Sequence, residues 1–391
     1  MQDEKKLDKI LEKFYNRYNR YNTKVIKKLG NAIKEFDGIK PSDAHIIAQQ
    51  LKYGTDIDEL LNELSSINEK SVEELYKLLD EVAKENTEFA EIYSKAKNKE
   101  FISYEDNTQL QNIVNAIKIQ TTGNMINITN TRAVGFTLKK DDRVIFKPLK
   151  RAYNDLIDEA VYNVSTGQEN YQSAMRNVMK QLADSGVRIN ENKVKYKSDY
   201  TRRIDSAVRQ NVLEGVRQVN IQVQQEVGEL IGADGVEISA HPLCAEDHLD
   251  IQGMQFSNKQ FERINDDLDR PIGTMNCRHF IFSIVLGVSE PSYSKRMLNQ
   301  YKTESTKKIT YDGKEYTKYE ATQVQRQLET KIREQKDRQI IGRASGDKEL
   351  ISESQRNITT YTNRYNDFSK KAGLQTYKER LTVSGYHRVK V

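Results

Sequence analysis

The sequence predicts a mainly α-helical protein with a small β/zinc-stapled module, an α+β arrangement that is elongated and multi-domain. Hydrophobic residues make up 37% and charged residues 30% of the chain, and the mean hydropathy is −0.78. These values favour helices with much exposed surface over one large core. The 5 prolines and 19 glycines among 391 residues are too few for a loop-rich β protein. The β-prone segments are also short and few.

Residues 1–130 are predicted to form an all-helical N-terminal domain. Within 3–36, apolar residues recur at steps of three and four, which predicts one long helix with a narrow, coiled-coil-like seam. The seam consists of Leu7, Leu11, Phe14, Tyr18, Tyr21, Val25 and Leu29. So narrow a seam requires a partner helix, either from this chain or from another one.

Further helix signals follow within this domain. Pro41 begins a second helix that Gly54 ends. A short helix over 56–64 precedes a capping box at Ser71, which opens a longer helix. Another helix is predicted over 104–119.

Residues 131–235 are predicted to form a second helical domain, which β-prone pieces over 126–148 introduce. Helices are expected over 149–164 and 170–184. A long amphipathic helix is then expected over 198–230, because valines and other apolar residues recur along one stripe of it.

Residues 236–305 are predicted to form a small β module that contains the most unusual feature of the chain. The stretch 241–279 holds both cysteines and three of the five histidines. Strands are expected at 236–240 and 280–286, on either side of this stretch. Zinc takes four ligands tetrahedrally, and thiolate and imidazole are its usual donors. The candidate metal ligands are His241, Cys244, His248, Cys277 and His279.

The preferred ligand set is Cys244, His248, Cys277 and His279, with His241 as a supporting residue or a substitute. Residues two apart on a strand point to one side, so Cys277 and His279 can bind the same ion. Cys244 and His248 are four residues apart, a spacing that places both side chains on one face of a helical turn. A structural Zn²⁺ would then staple a β unit that is too thin for its own core.

Other interpretations of the cluster stay open. The cysteines could be ordinary buried residues or a redox pair, and the ion could be catalytic. In the catalytic case Asp247, His248 and Asn276 would serve a metal-dependent nuclease, with His248 as general base. The chain has no phosphate-binding glycine motif and no recognisable Ser or Cys nucleophile pattern. We therefore predict no catalytic residues and no enzyme.

Residues 306–391 are predicted to contain a β-hairpin, C-terminal helices and a basic tail. The hairpin turns at Asp312 and Gly313. The segment 354–391 carries eight Lys and Arg against two acidic residues. Such a segment can contact DNA, although it can also simply be solvated. The chain has neither a signal peptide nor an apolar run long enough for a membrane span, so synthesis in a reducing cytosol is expected.

The region from about 149 to 335 resembles the phage minor capsid protein 2 family, which is related to the Mu F-like head morphogenesis proteins. The resemblance rests on short motifs that occur in a fixed order. They are Ser165-Thr-Gly with Tyr171-Gln, Ala207-Val-Arg209, Val236-Glu-Ile-Ser-Ala-His241, His248-x3-Gln252-Gly253, Asn276-Cys-Arg-His279, Gly287-x-Ser289 and Tyr319-Glu-x-Thr-Gln-x-Gln-Arg326.

The resemblance implies a virion component near the portal vertex, made in the cytoplasm of a bacterial host. Its implied partners are the portal protein, the major capsid protein and the packaged double-stranded DNA, with several copies per virion. The chain departs from the family pattern at Cys244-Ala-Glu-Asp, where a small-Arg-Pro run is common, and at Ile251, where an aromatic is common. Cys244 is therefore a ligand candidate particular to this sequence, and His241 could take its place.

Overall fold

The computed structural model describes residues 4–34, 44–54, 56–96, 102–130, 133–140, 143–190, 201–274 and 277–389. The chain divides into two compact units, each assembled from three separate stretches. Unit 1 comprises Met1–Glu12, Ser71–Asn124 and Arg209–Gln323, and unit 2 comprises Lys13–Lys70, Met125–Val208 and Val324–Val391. The division into four consecutive domains remains a prediction.

Helices dominate the described part of the chain, which confirms the prediction of a mainly α protein with small β elements. The α-helices are α1 (Glu4–Ile33), α2 (Ala44–Gly54), α3 (Ile57–Ala96), α4 (Thr108–Ile128), α5 (Leu149–Ser165), α6 (Tyr171–Ser185), α7 (Ile204–Ile231), α8 (Asn258–Asp267), α9 (Lys295–Thr306), α10 (Lys318–Ser345) and α11 (Lys348–Ala372). The strands are β1 (Val134–Lys140), β2 (Arg143–Pro148), β3 (Arg188–Asn190), β4 (Thr201–Arg203), β5 (Gly235–Ile238), β6 (Gln255–Ser257), β7 (Ile281–Ile284), β8 (Lys308–Tyr311) and β9 (Lys314–Thr317).

Helix α1 forms where the apolar seam predicts it. Each of the seven seam residues is at most 4% exposed. Steps of three and four place such residues on one face of a helix, and burial of that face stabilises the helix far more than its intrinsic propensity does. The predicted helix over 3–36 is therefore confirmed from Glu4 to Ile33, and residues 3, 35 and 36 lie outside the described part.

Helix α3 is continuous where two helices were predicted. The prediction that a capping box at Ser71 begins a helix was wrong, because Ser71 lies inside α3 and is fully buried. The segment from 56 to 71 has neither glycine nor proline, so nothing in it ends a helix. Leu64 and Leu75 continue the buried stripe on either side of Ser71.

Two other helix boundaries also differ from the prediction. Helix α4 continues to Ile128, so the β-prone interpretation of 126–128 was wrong. The buried Met125 extends the helical stripe of this segment, and its carbonyl accepts a hydrogen bond from the Thr129 hydroxyl. Helix α7 begins at Ile204 rather than near 198, because Thr201–Arg203 pairs with β3 as a strand.

The strands form three antiparallel sheets. Unit 2 contains a four-stranded sheet in the order β2-β1-β3-β4. Unit 1 contains a three-stranded sheet in the order β6-β5-β7 and the two-stranded hairpin β8-β9. The hairpin turns at Asp312 and Gly313, both with positive φ, as predicted. Residues 141–142, which connect β1 to β2, lie outside the described residues.

The three-stranded sheet of unit 1 has a small core. Its buried cluster consists of Val236, Ile238, Phe261, Ile272 and Ile281. Strand β5 pairs with β7 so that Ile238 lies opposite Ile281. The end of β5 is thereby brought beside the start of β7, which determines where the flanking segments meet. Among the described helices, none combines the length and apolar character that crossing a lipid bilayer requires.

Candidate metal centre

The pairing of β5 with β7 brings the two halves of the Cys/His stretch together. Beyond the paired strands, the Ser239 backbone N–H donates to the Phe280 carbonyl at 2.8 Å. The Ser239 hydroxyl accepts from the Phe280 N–H, also at 2.8 Å. These bonds continue the ladder past its last strand residues, so His241 and His279 arrive side by side. Their rings lie 4.4 Å apart between centroids.

Three of the five predicted ligands converge on one point. The donor atoms of His248, Cys277 and His279 all lie within 4.8 Å of one another. Cys277 Sγ is 3.3 Å from His279 Nδ1 and 3.8 Å from His248 Nδ1. Cys277 and His279 were predicted to share a strand, but β7 begins only at Ile281. The two side chains nevertheless face the same point from the segment that precedes β7.

Both imidazoles in this group present Nδ1 inward because their Nε2 atoms are engaged elsewhere. His248 Nε2 lies 2.7 Å from the Arg270 carbonyl, which can only accept, so this nitrogen carries the proton. His279 Nε2 lies 3.4 Å from Gln252 Oε1. Metal-binding histidines commonly donate their second ring nitrogen to a carbonyl or another acceptor in this way.

His241 and Cys244 lie beside the group without completing it. Among the described residues, no fourth His, Cys, Asp or Glu donor lies within 4.8 Å of all three. His241 Nδ1 lies 3.0 Å from the Pro242 carbonyl, and Cys244 is only 2% exposed. Between them Leu243 adopts a positive φ of 61°, a strained conformation for leucine, and its N–H donates to the Ser305 hydroxyl.

Comparison with known protein families shows to which family the chain belongs. The family model described as phage minor capsid protein 2 matches residues 2–370, nearly the whole chain. The chain belongs to the phage minor capsid protein 2 family. Comparison with curated proteins and with solved structures gives no match. Family membership makes this minor capsid protein a component of the phage virion, and it extends the resemblance beyond 149–335.

The electrostatics of the cluster favour a neutral His279 ring and a Cys277 thiol that ionises more readily than usual. Burial lowers the pKa of His279 to about 2, and His241 and His248 act in the same direction. Burial alone would raise the pKa of Cys277, but hydrogen bonds to His248 and to backbone N–H groups bring it below its ordinary value. Burial also acts to lower the pKa of His248, and the hydrogen bond with Cys277 raises it instead. Cys277 and His248 therefore share one proton, which a bound cation would displace.

Cys244 differs from Cys277 in this respect. Burial raises the pKa of the Cys244 thiol to about 12, and the nearby charges of Asp247 and Cys277 add to the effect. The thiol is neutral at pH 7 unless a cation lies close to it. A metal ion would supply that charge and deprotonate it.

Sequence reasoning missed two residues that orient the group in the minor capsid protein. Gln252 contacts His279, and it entered the sequence analysis only as part of a family motif. Arg270 contributes its carbonyl to His248, while its guanidinium makes two hydrogen bonds to Asp247. A backbone carbonyl leaves no signal in a sequence, so this second contact could not have been found. Asn276, a candidate in the nuclease interpretation, lies outside the described residues.

Proposed function

We propose that this minor capsid protein is a structural part of the phage head, bound near the portal vertex, and that a zinc ion stabilises its three-stranded module. The convergence of two Nδ1 atoms and one Sγ atom carries the metal part of the proposal. A buried group of electron-pair donors is unfavourable unless a proton or a cation lies among them. Because the core of the sheet is small, a structural ion would add stability that the core alone does not supply.

The distances fit a tetrahedral zinc ion. With Zn–N of about 2.0–2.1 Å and Zn–S of about 2.3 Å, a sulfur and a nitrogen on one ion lie about 3.6 Å apart. The two observed Sγ–Nδ1 separations, 3.3 and 3.8 Å, lie on either side of that value. Two imidazole rings on one such ion have centroids about 5 Å apart. The rings of His248 and His279 are 5.1 Å apart and nearly perpendicular.

The fourth ligand is either Cys244 or His241. The His241 ring lies only 4.4 Å from the His279 ring and is tilted by 31°. This separation is shorter than that of two rings sharing a tetrahedral ion, which favours Cys244. Binding of Cys244 would close the site as a two-Cys, two-His structural centre.

The competing function is a metal-dependent nuclease or a toxin-like enzyme carried in the virion. The observation that favours it is that three donors converge among the described residues, which leaves a coordination position for water. The two functions differ in that position. A protein ligand in the fourth coordination position would indicate a structural site, and an exchangeable water in it would indicate a catalytic site.

Contacts with the portal protein, the major capsid protein and packaged DNA are part of the proposal. Support for DNA comes from helix α11, whose solvent-exposed residues include Arg356, Arg364, Lys370 and Lys371. Cationic side chains along one helix match the phosphate backbone, which requires no base recognition. The tail that follows α11 is held by unit 2 itself, for example through the Ser384 N–H and the Asn19 side chain. The helix is therefore the better surface for DNA.

Metal analysis of the purified protein tests the zinc proposal. We expect about one equivalent of zinc per chain, and Cys277→Ala should lose both the metal and the fold of the module. The stabilisation lost is on the order of 10 kcal/mol. His387→Asn is the matched control, because it changes an exposed histidine outside the cluster and should keep the metal.

Two further variants identify the fourth ligand. Loss of zinc in Cys244→Ser but not in His241→Asn assigns Cys244, and the reverse result assigns His241. Retention of zinc in both variants, with a bound water, would support the enzyme instead. Wild-type protein without any transition metal would refute the zinc proposal.

A further inference from the structure

A buried glutamine contacts the ring of His279 on the side away from Cys277. Gln252 is 2% exposed. Its Oε1 accepts from the His241 backbone N–H at 3.1 Å and lies 3.4 Å from His279 Nε2. We propose that Gln252 is a positioning residue that fixes His279 as the tautomer protonated on Nε2, so that Nδ1 keeps its lone pair toward Cys277. The consequence for metal binding rests on the zinc proposal, whereas the tautomer does not.

The orientation of the Gln252 amide follows from its backbone partner. A backbone N–H can only donate, so the amide atom that faces the His241 N–H must be the oxygen. The same oxygen faces His279 Nε2, and an oxygen of this kind can only accept. The proton of the neutral His279 ring is therefore on Nε2, and neither an amide flip nor the other tautomer satisfies both contacts.

The backbone around Gln252 holds the side chain in this position. The Gln252 N–H donates to the His248 carbonyl at 3.1 Å, and the Gly253 N–H donates to the Ile238 carbonyl at 2.8 Å. Gly253 has a φ of +69°, and a Cβ there would lie 2.3 Å from a Leu298 methyl. A Cβ at this position would force the Leu298 side chain to move, and the positive φ favours glycine. The turn that follows His248 thus leads directly to the residue that orients His279.

The position of Gln252 leaves one of its own polar atoms without a hydrogen bond. Its amide nitrogen is buried and has no hydrogen-bond partner. Such an unmade bond destabilises a fold, so packing alone does not explain a glutamine at this position. The oxygen is the part of the side chain that makes contacts. Together with the Arg270 carbonyl on His248, it ensures that both rings offer Nδ1 to the same point.

Three variants of the full-length protein test the inference. Gln252→Leu removes the acceptor and Gln252→Glu keeps one. Gln255→Leu is the matched control, because Gln255 lies in the same module and bonds Glu237 rather than an imidazole. NMR of isotope-labelled histidine in the metal-free protein reports the tautomer of His279, and competition with a chelator dye reports zinc affinity.

We expect Nε2 protonation of His279 in the wild type, in Gln252→Glu and in Gln255→Leu, and a mixture of tautomers in Gln252→Leu. Zinc affinity should fall about 10–100-fold in Gln252→Leu alone. Protonation on Nδ1 in the wild type, or equal losses of affinity in both leucine variants, would overturn the inference. A protein that binds no zinc but keeps the Nε2 tautomer would refute the zinc proposal and leave this inference standing.

Discussion

A buried polar cluster in unit 1 and one in unit 2 differ in their charge balance. In unit 1, Cys277, His248 and His279 direct three electron-pair donors at one point. In unit 2, Arg203 and Asp337 form a buried ion pair at 2.8 Å. The first arrangement brings together groups that can each donate an electron pair to a cation, whereas the second pairs a cation with an anion of its own. The zinc proposal therefore applies to the first cluster and not to the second.

The unit 2 cluster joins distant parts of the chain through amide side chains. Asn22 donates to Asp337 and accepts from the Val187 N–H, and Asn19 donates to Asp205. Arg203 also lies 3.8 Å from Asp205, although its Nε and Nη1 make no hydrogen bond. The charges of this cluster are therefore balanced, although some of its polar atoms make no hydrogen bond. It shows that a buried polar group in this protein need not indicate a ligand site.

Apart from loss of the proposed zinc ion, breaking the unit 2 ion pair should have the largest effect on stability. Arg203→Ala leaves Asp337 buried without its cation, which we expect to lower the free energy of unfolding by about 3–5 kcal/mol. Denaturant unfolding measures the change. Lys371→Ala, which breaks the exposed pair with Asp367, is the control and should cost at most about 0.5 kcal/mol. Equal costs for the two variants would contradict the distinction, as would a chelator that unfolds unit 2.

The sequence predicted those parts of the protein that depend on local periodicity. The α1 seam is an example, because steps of three and four determine which residues can be buried together. Ser71 is the counterexample. A capping box indicates a helix start only where the preceding chain is not already helical, and no glycine or proline ends α3 before it.

The candidate site was predictable in composition but not in geometry. The concentration of cysteine and histidine identified Cys277, His248 and His279, because these residue types are rare in the chain. Gln252 carries no comparable signal, since its role depends on a turn at Gly253 and on the pairing of β5 with β7. Contacts made by tertiary structure or by a backbone carbonyl cannot be derived from residue spacing.

Alkaline pH should destabilise unit 2 by less than Arg203→Ala does and by more than substitution of exposed lysines does. Burial raises the pKa of Tyr15 to about 12, and Asp205 adds to the effect, while Arg333 donates to its hydroxyl at 2.6 Å. Above pH 10 the unfolded chain loses the tyrosine proton and the folded chain keeps it. The free energy of unfolding therefore falls as pH rises, by up to about 1.4 kcal/mol between pH 10 and 11.

Paired unfolding curves at the two pH values isolate this contribution. Tyr15→Phe should reduce the loss of stability between pH 10 and 11. Tyr162→Phe, at a tyrosine that is 61% exposed, should leave the loss unchanged. A Tyr15→Phe protein with the same pH dependence as the wild type would show that Tyr15 ionises equally in both states.

Removal of the exposed cations of α11 should have the smallest effect on stability and the largest effect on DNA binding. Lys370→Ala combined with Lys371→Ala is expected to change the free energy of unfolding by no more than about 0.5 kcal/mol. If both contact phosphate, the slope of log affinity against log salt for duplex DNA should decrease by about 0.9 for each lysine. Fluorescence anisotropy at several salt concentrations measures this slope.

The control for this last comparison is Lys77→Ala. Lys77 forms an exposed ion pair with Glu73 four residues earlier, as Lys371 does with Asp367, but it belongs to unit 1. An equal loss of slope in Lys77→Ala and in Lys371→Ala alone would mean that the DNA responds to net charge only. An unchanged slope with Lys77→Ala and a reduced one with Lys371→Ala would assign the contact to the helix, because each single change removes one charge from an exposed ion pair between residues four apart.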